Sequence, residues 1–578
     1  MAFSVLLALG VGGWVLERTT EQILRAQVDA YLRARTLALV HADEGKGLRI
    51  EIPDLDLSLI RRRLVLRNVR IQFQRKDESR SQDFEAFTPR VTITGVDLTD
   101  AIWHRNFRLA GVAITAPVLR HLDEGPPDTT SAPGTSADTI PFTLPAADSL
   151  LYSVVAGWLP DEVRGGRIGS LNVNNATISS MLIRGQAVTV DSTADLSLTM
   201  RGLQLDSARH RIFERATLTA GYLLHARPGR EDTLVVRAGE VTVSPDDTAF
   251  SIGQVYTGPP AGGHSLRILG VRRSHAKRML TIDSVSWAPP VADSVFFRAA
   301  PARSTRIRLT AVNIRVLGML QENLRRRRLT AGGVWVGNAN LDVLADRRVP
   351  GPSKNRVLWP ARLAALDWVV GADSAVVESG KVRYAEWPED APHPAHVDFD
   401  KLRVRVLHAT NDTVVADSLP LVIDGRGRLL GAAPFHTTIT VQVRPGPIRM
   451  RAEGEVGSMP ISRFNTFVLP ANGLEITDGT VENVAFWFNV AGGKSVGELR
   501  AVWHDLDLRL VDPVTGKQNF GKKLKSVVAR MISKNHNQPG KDGKVPAAEI
   551  QYDIPPTDTF WGLFWRSLKS GLGKAMKN

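Results

Sequence analysis

Apolar residues at every second position, broken by turn residues and then resumed, commit most of this chain to β-sheet. Between 91 and 122 they fall at Val91, Ile93 and Val96, and again at Leu109, Val112, Ile114 and Val118. Side chains two apart share one face of a strand, so the spacing predicts strand, irregular connection, strand. A weak echo at 307–344 opens with the same alternation, passes an Arg-bearing segment and returns as a Gly-containing apolar run. Val96-Asp97-Leu98 in the first copy matches Val312-Asn313-Ile314 in the second. Leu55, Leu57 and Leu59 alternate, as do Leu196, Leu198 and Met200; after Gly202 the phase moves to Leu203 and Leu205, as a bulge would move it. Further strand patterns lie at 234–243, 280–287 and 397–406. Arg444-Pro445-Gly446-Pro447 separates two more and predicts a hairpin.

With 578 residues the chain is too long for one compact core. A sheet's apolar face must be covered, and few amphipathic helices are available to cover it. A sandwich, a closed barrel or a curved groove filled by an apolar ligand would solve the problem. Strands repeating every roughly 16 residues would number about 30, a sheet ~140 Å long at ~4.8 Å per strand. The expected fold is mainly β: an elongated, curved antiparallel sheet forming an open groove, with an N-terminal membrane helix and C-terminal amphipathic helices.

Chemistry is absent from the sequence. There is no cysteine, hence no disulfide, thiolate metal site or cysteine nucleophile. No H-E-x-x-H, P-loop or G-x-S-x-G occurs. His393-Pro394-Ala395-His396 reads as a loop rather than a metal site, and Gly425-Arg426-Gly427 with Gly431 as a turn. The expectation is no enzyme and no cofactor. A net charge of +14 favours acidic partners, nucleic acid or anionic lipid. The arginines sit in short dispersed clusters such as Arg61 to Arg63 and Arg325 to Arg328, without a nucleic-acid module; the interior clusters read first as solvated residues on the outer face of strands, and a membrane surface suits the Lys-rich C-terminal group better.

Residues 2–16 are apolar and uncharged, and we read 1–16 as a membrane anchor. The nearest basic residues, Arg18, Arg25, Arg33 and Arg35, all follow it; the positive-inside rule would put that side in the cytoplasm. Residues 17–45 read as a connecting helix, 46–124 as a first β segment and 125–147 as a Pro/Ser/Thr-rich loop. The main β region is 148–515, and a basic amphipathic region fills 516–578. In that last region 522–534 forms one amphipathic helix pattern. Phe560, Trp561, Phe564, Trp565 and Lys569 form another. Such basic, aromatic helices suit a membrane interface, and they equally suit the closing of a sheet end.

The segment 472–512 runs strand, Gly479, strand, Gly-rich turn, strand, and ends in a D-L-x-L pattern at Asp505 to Leu508. Ser379-Gly380-Lys381-Val382-Arg383-Tyr384 lies upstream of it. Phe560-Trp561-Gly562-Leu563-Phe564-Trp565 follows, and the alternation from Asp56 to Val69 opens the β region. Together with the apolar N-terminus, these patterns resemble the AsmA-like envelope proteins, the superfamily that includes TamB and YhdP, and look closest to its Bacteroidetes-type members. The resemblance implies an inner-membrane anchor and a periplasmic β-groove that carries phospholipid between inner and outer membranes. It implies contact with the inner membrane, the outer membrane surface and envelope proteins as well. A scaffold for outer-membrane assembly that carries no lipid is the alternative. It transfers no catalytic residue. Leu196, Leu198, Met200, Ile439, Val441 and Val443 are the candidate groove wall, with core packing as the alternative role for each.

Overall fold

The computed structural model describes Gln22, Ala26 and residues 47–576 except 59, 77–80, 97–105, 126–164, 185–186, 205–212, 228–231, 244–247, 259–262, 275–277, 300–302, 320–325, 350–356, 390, 512–534, 541–542 and 544. The expected anchor at 1–16, nearly all of the connecting helix, the loop at 126–147 and the helix pattern at 522–534 lie outside the described residues. The protein is mainly β and forms two compact units, Met1–Ala261 and Gly262–Asn578.

The first unit carries β1 Gly47–Glu51, β2 Asp54–Ser58, β3 Arg63–Lys76, β4 Ser81–Thr94, β5 Asn106–Thr115, β6 Val118–Gly125, β7 Gly165–Arg184, β8 Ala187–Gln204, β9 Arg215–Arg227, β10 Asp232–Val243 and β11 Thr248–Thr257. Strands β1 and β2 lie end to end on β3, and β5 and β6 end to end on β4. The β5–β6 line then pairs with β7 in parallel, and β7 to β11 continue as an antiparallel meander.

The second unit carries β12 Ser265–Ser274, β13 Met279–Ala288, β14 Thr305–Leu317, β15 Arg328–Asp346, β16 Val369–Trp387, β17 Ala395–Thr410, β18 Leu421–Leu429, β19 Ala433–Val441, β20 Met450–Val456, β21 Met459–Pro460, β22 Leu474–Ala491, β23 Lys494–Leu510 and β24 Ala548–Asp553. Neighbours pair antiparallel except β15 with β16, which are parallel. The two echoing segments therefore do the same thing: each is an antiparallel pair whose second member takes a parallel partner next. The predicted hairpin is present, with Val441 opposite Met450 and Gly446 at φ 94°. Twenty-four strands are described rather than about 30, because several run 18 to 20 residues, longer than the assumed repeat. Gly425 to Gly427 is strand, not turn; a Cβ on Gly427 would come within 3.0 Å of Leu402 and 3.1 Å of Phe435, so glycine lets three strands close up.

One device organises the strands of both units. Apolar residues alternate along a strand, step by three once, then alternate again. The positions are Leu171, Val173, Ala176 and Ile178 on β7, and Leu280, Ile282, Val285 and Trp287 on β13. On β14 they are Leu309, Ala311, Ile314 and Val316; on β15, Val334, Val336, Ala339 and Leu341. The steps align across strands along a line of left-handed residues. In the first unit these are Asn68, Ala116, Asn175, Asp195 and Ala238, with φ between 45° and 55°. In the second they are Gly270, Asn313 and Lys401. Where such a residue sits on one strand, its opposite neighbour is often glycine: a Cβ on Gly221 would stand 2.8 Å from Asp195 Cβ, and one on Gly337 3.0 Å from Asn313 Cβ. Asn and Asp tolerate the left-handed region better than other side chains, which accounts for their share of the line. A one-residue slip alone would send half of every strand's apolar residues to the wrong face. The kink line absorbs that slip and bends the strands.

Besides the helical residues Gln22 and Ala26 and a 3-10 helix Ile461–Phe464, five α-helices are described, all in the second unit: α1 Asp293–Ala299, α2 Trp359–Ala364, α3 Thr413–Ser418, α4 Asn465–Asn472 and α5 Phe560–Ala575. In α5, Phe560, Leu563, Ser567, Gly571 and Ala575 recur at helical spacing and are buried, and the Thr559 hydroxyl caps the helix by accepting from Gly562 N at 3.0 Å. This stripe lies on β22 to β24. Phe564 meets Phe488 at 5.4 Å between centroids, and a Cβ on Gly571 would stand 2.8 Å from Ile550. The resulting core includes Val441, Phe488, Ile550 and Leu563, all fully buried, each contributing about 1.5–3 kcal/mol.

Candidate functional site: a partly exposed apolar sheet face

Residues directly opposite on paired strands share a face, so the registers trace rows across the strands of each unit. In the first unit Leu66 faces Val91, Val91 faces Ile114, and Ile114 faces Val173. The row continues through Leu198, Leu218, Val241 and Phe250. Beyond the kink line a second row runs Ala86, Leu119, Ile178, Thr193, Leu223, Val236. The alternate residues form the opposite face and are mostly polar: Thr92, Ala113, Asn172, Thr199, Thr217 and Thr242 stand in one row.

The second unit repeats the arrangement. Ile282, Ile314, Val336, Val377 and Val404 form one apolar row, and Val316, Val334, Ala375, Val406 and Ile423 the next. Behind them stand Arg272, Thr281, Arg315, Trp335, Val376, Arg405 and Asp424, with the Arg315 guanidinium 4.7 Å from the Trp335 ring. The polar face is laced by ion pairs. Arg383 donates to Asp398 at 2.7 and 2.9 Å and holds that carboxyl below its usual range, against the opposing effect of burial. Helices α4 and α5 show that rows on both sides of the kink line share a face. Phe399, from one side, and Phe467 pack against the same buried cluster; Phe467 meets Trp565, and the preceding residue, Phe564, lies on Phe486 and Phe488 from the other side.

The apolar face is covered unevenly. Under α5 it is a closed core. In the first unit Leu218 and Leu223 remain 39% exposed and Val241 37%. The fully enclosed cluster there is small, Leu109, Ile168, Met200 and Leu203. In the second unit Val336, Val377 and Val404 are half-buried.

The six candidate wall residues divide accordingly. Leu196 and Leu198 are half-buried on the first unit's apolar face. Met200, 1% exposed, belongs to the enclosed cluster. Ile439 and Val441 lie in the core beneath α5, and Val443 packs with Ala416 and Leu421 near α2 and α3. Alternation alone could not separate these groups, because the helix that covers Val441 begins more than a hundred residues later. Of the interface candidates, Phe560 is buried and Phe564 lies against Phe486 and Phe488, while Trp565 packs on Phe467. Trp561 and Lys569 are exposed. The helix thus closes the sheet end, one of its two expected roles, since its apolar stripe fits the β22–β24 face.

A polar row was missed from sequence. Two residues beyond Leu119, Ile178 and Leu223, on the same face, stand His121, Ser180, Asp191 and His225, each opposite the next. His121 Nδ1 lies 3.0 Å from Ser180 Oγ, and His225 Nδ1 2.6 Å from Asp191 Oδ1. The signal was available: each occupies the apolar phase of its strand.

Among the described residues no helix is long and apolar enough to cross a membrane, and no cluster of His, Asp or Glu could hold a metal ion. Compared with known proteins, the chain matches no family model and no curated sequence.

Proposed function

We propose that this chain is an inner-membrane-anchored envelope protein whose curved sheet shields phospholipid acyl chains in transit between inner and outer membranes. What supports the reading is the pair of rows that cross the strands, apolar except at Thr193, mostly polar behind and still partly exposed. An acyl chain laid on such rows stays out of water at every strand it crosses. Each buried methylene contributes about 0.8 kcal/mol, and moving to the next strand exchanges one apolar contact for another. The anchor is assigned to the apolar segment 2–16. The closed core beneath α5 favours a second reading, a scaffold for outer-membrane assembly without lipid, over that part of the sheet. Organic extraction and mass spectrometry of the full chain purified from membranes tests the choice. Phospholipid in stoichiometric amount supports transport; a folded, lipid-free chain supports the scaffold.

A further inference from the structure

We propose that His121, Ser180, Asp191 and His225 form a headgroup-binding row on the first unit's sheet, selective for a zwitterionic phosphoethanolamine head. The inference rests on the acyl-chain reading above and adds to it which lipid is held and where.

On β6 to β9 this is the first polar row that the apolar face meets beyond Leu119, Ile178 and Leu223, a boundary closed by Phe84 opposite His121 and Leu234 opposite His225. Leu119, Ile178 and Leu223 precede it by two residues on β6, β7 and β9, so both sets lie on one face. An amphiphile with its chains on the apolar rows has its head at that boundary. The hydrogen-bonding groups are ordered by charge along the row. At one end the Ser180 hydroxyl can donate to His121 Nδ1, which leaves the imidazole N–H on Nε2 free to donate to a phosphodiester oxygen. At the other end the His225 Nδ1–H donates to Asp191, leaving a carboxylate oxygen and, in the neutral ring, Nε2 as acceptors for an ammonium group. Neither Nε2 has a partner among the described residues. Both groups are accessible, with the Asp191 side chain 49% and the His225 side chain 35% exposed. His121 and Asp191 stand on the strands either side of Ser180, ~9.6 Å apart, a distance that two hydrogen bonds and the two-carbon bridge between phosphate and ammonium together span. The next row on this face holds Asp123, neutralised by Arg184 at 3.1 Å, so Asp191 is the anion available to a ligand. An anionic phosphoglycerol head lacks the cation that Asp191 would meet.

The test uses the full chain in detergent micelles with two phospholipids of identical acyl chains, one with a phosphoethanolamine and one with a phosphoglycerol head, each quantified by mass spectrometry after equilibration. The wild type is expected to prefer phosphoethanolamine about tenfold, one charge-assisted contact. Asp191→Asn, isosteric and at a half-exposed position, is expected to bind the phosphoethanolamine lipid about tenfold more weakly, down to the level of the phosphoglycerol lipid, whose binding does not change. No preference in the wild type, or an undiminished preference in Asp191→Asn, overturns the headgroup row while leaving acyl binding intact. A wild type that binds neither lipid overturns the acyl-chain reading itself, and this inference with it.

Discussion

Introducing a carboxylate at Leu218 separates lipid binding from folding. Leu218 sits mid-row between Leu198 and Val241 and is 39% exposed. Losing its partial burial costs the fold about 1 kcal/mol, and the new carboxylate can reach water. Against an acyl chain the same change is larger. It removes apolar contact with about two methylenes, about 1.6 kcal/mol, or roughly 15-fold in affinity at that strand. Val441→Asp is the contrasting variant. Val441 is fully buried beneath α5, so the charge would lose about 2 kcal/mol of burial and add a desolvation cost of several kcal/mol. Against a domain stability of about 5–15 kcal/mol, that unfolds much of the second unit. Circular-dichroism melts and bound lipid per chain, measured on both variants, give the comparison. Leu218→Asp is expected to melt within a few degrees of wild type and to bind far less lipid, and Val441→Asp to melt early or not fold. A folded Leu218→Asp chain with wild-type lipid content refutes the reasoning.

Three further outcomes follow from particular contacts. Ala238→Gly relieves a left-handed alanine on the kink line and should stabilise the first unit by about 1 kcal/mol, read in a denaturant melt; destabilisation would mean that the line does not store that strain. Gly571→Leu forces a side chain to within 2.8 Å of Ile550 and should cost about 1–3 kcal/mol and lift α5, exposing its core to a fluorescent apolar dye; an unchanged dye signal would contradict the close approach. His264 is held below its ordinary pKa, first by burial and second by Arg306, and its Nε2 accepts from Ile307 N at 3.0 Å. The unfolded chain therefore binds this proton first, so the second unit is fully stable above pH about 6.5 and loses stability as pH falls below it. His264→Gln should flatten that slope in melts taken from pH 7.5 to 5.

The β class and the 444–447 hairpin could be read directly, because alternation and Pro-Gly turns are local signals. The three-residue steps were equally local, and Gly202 was read as a phase shift, which its φ of 66° matches. Their alignment from strand to strand could not be seen, because it depends on register, and register is set by pairing partners. The parallel pairs β5–β7 and β15–β16 were hidden for the same reason: a crossover leaves no mark on either strand. Phe560 to Ala575 was legible as an amphipathic helix, yet both membrane and sheet could accept its stripe. Only the fit of Gly571 over Ile550 and Leu499 decides between them. His121 and His225 were passed over because a single histidine in a strand carries no motif. Their meaning comes from standing in one row with Ser180 and Asp191.

The central claim is that one face of the sheet touches acyl chains and the other does not. Thr217 and Leu218 are adjacent on β9 and belong to opposite faces. A photo-crosslinking amino acid placed at each position in turn, in the full chain in native membranes, asks the question one residue apart. Lipid adducts at 218 and none at 217 are the predicted result. Equal labelling at both positions, or labelling at 217 alone, would contradict a one-sided apolar path.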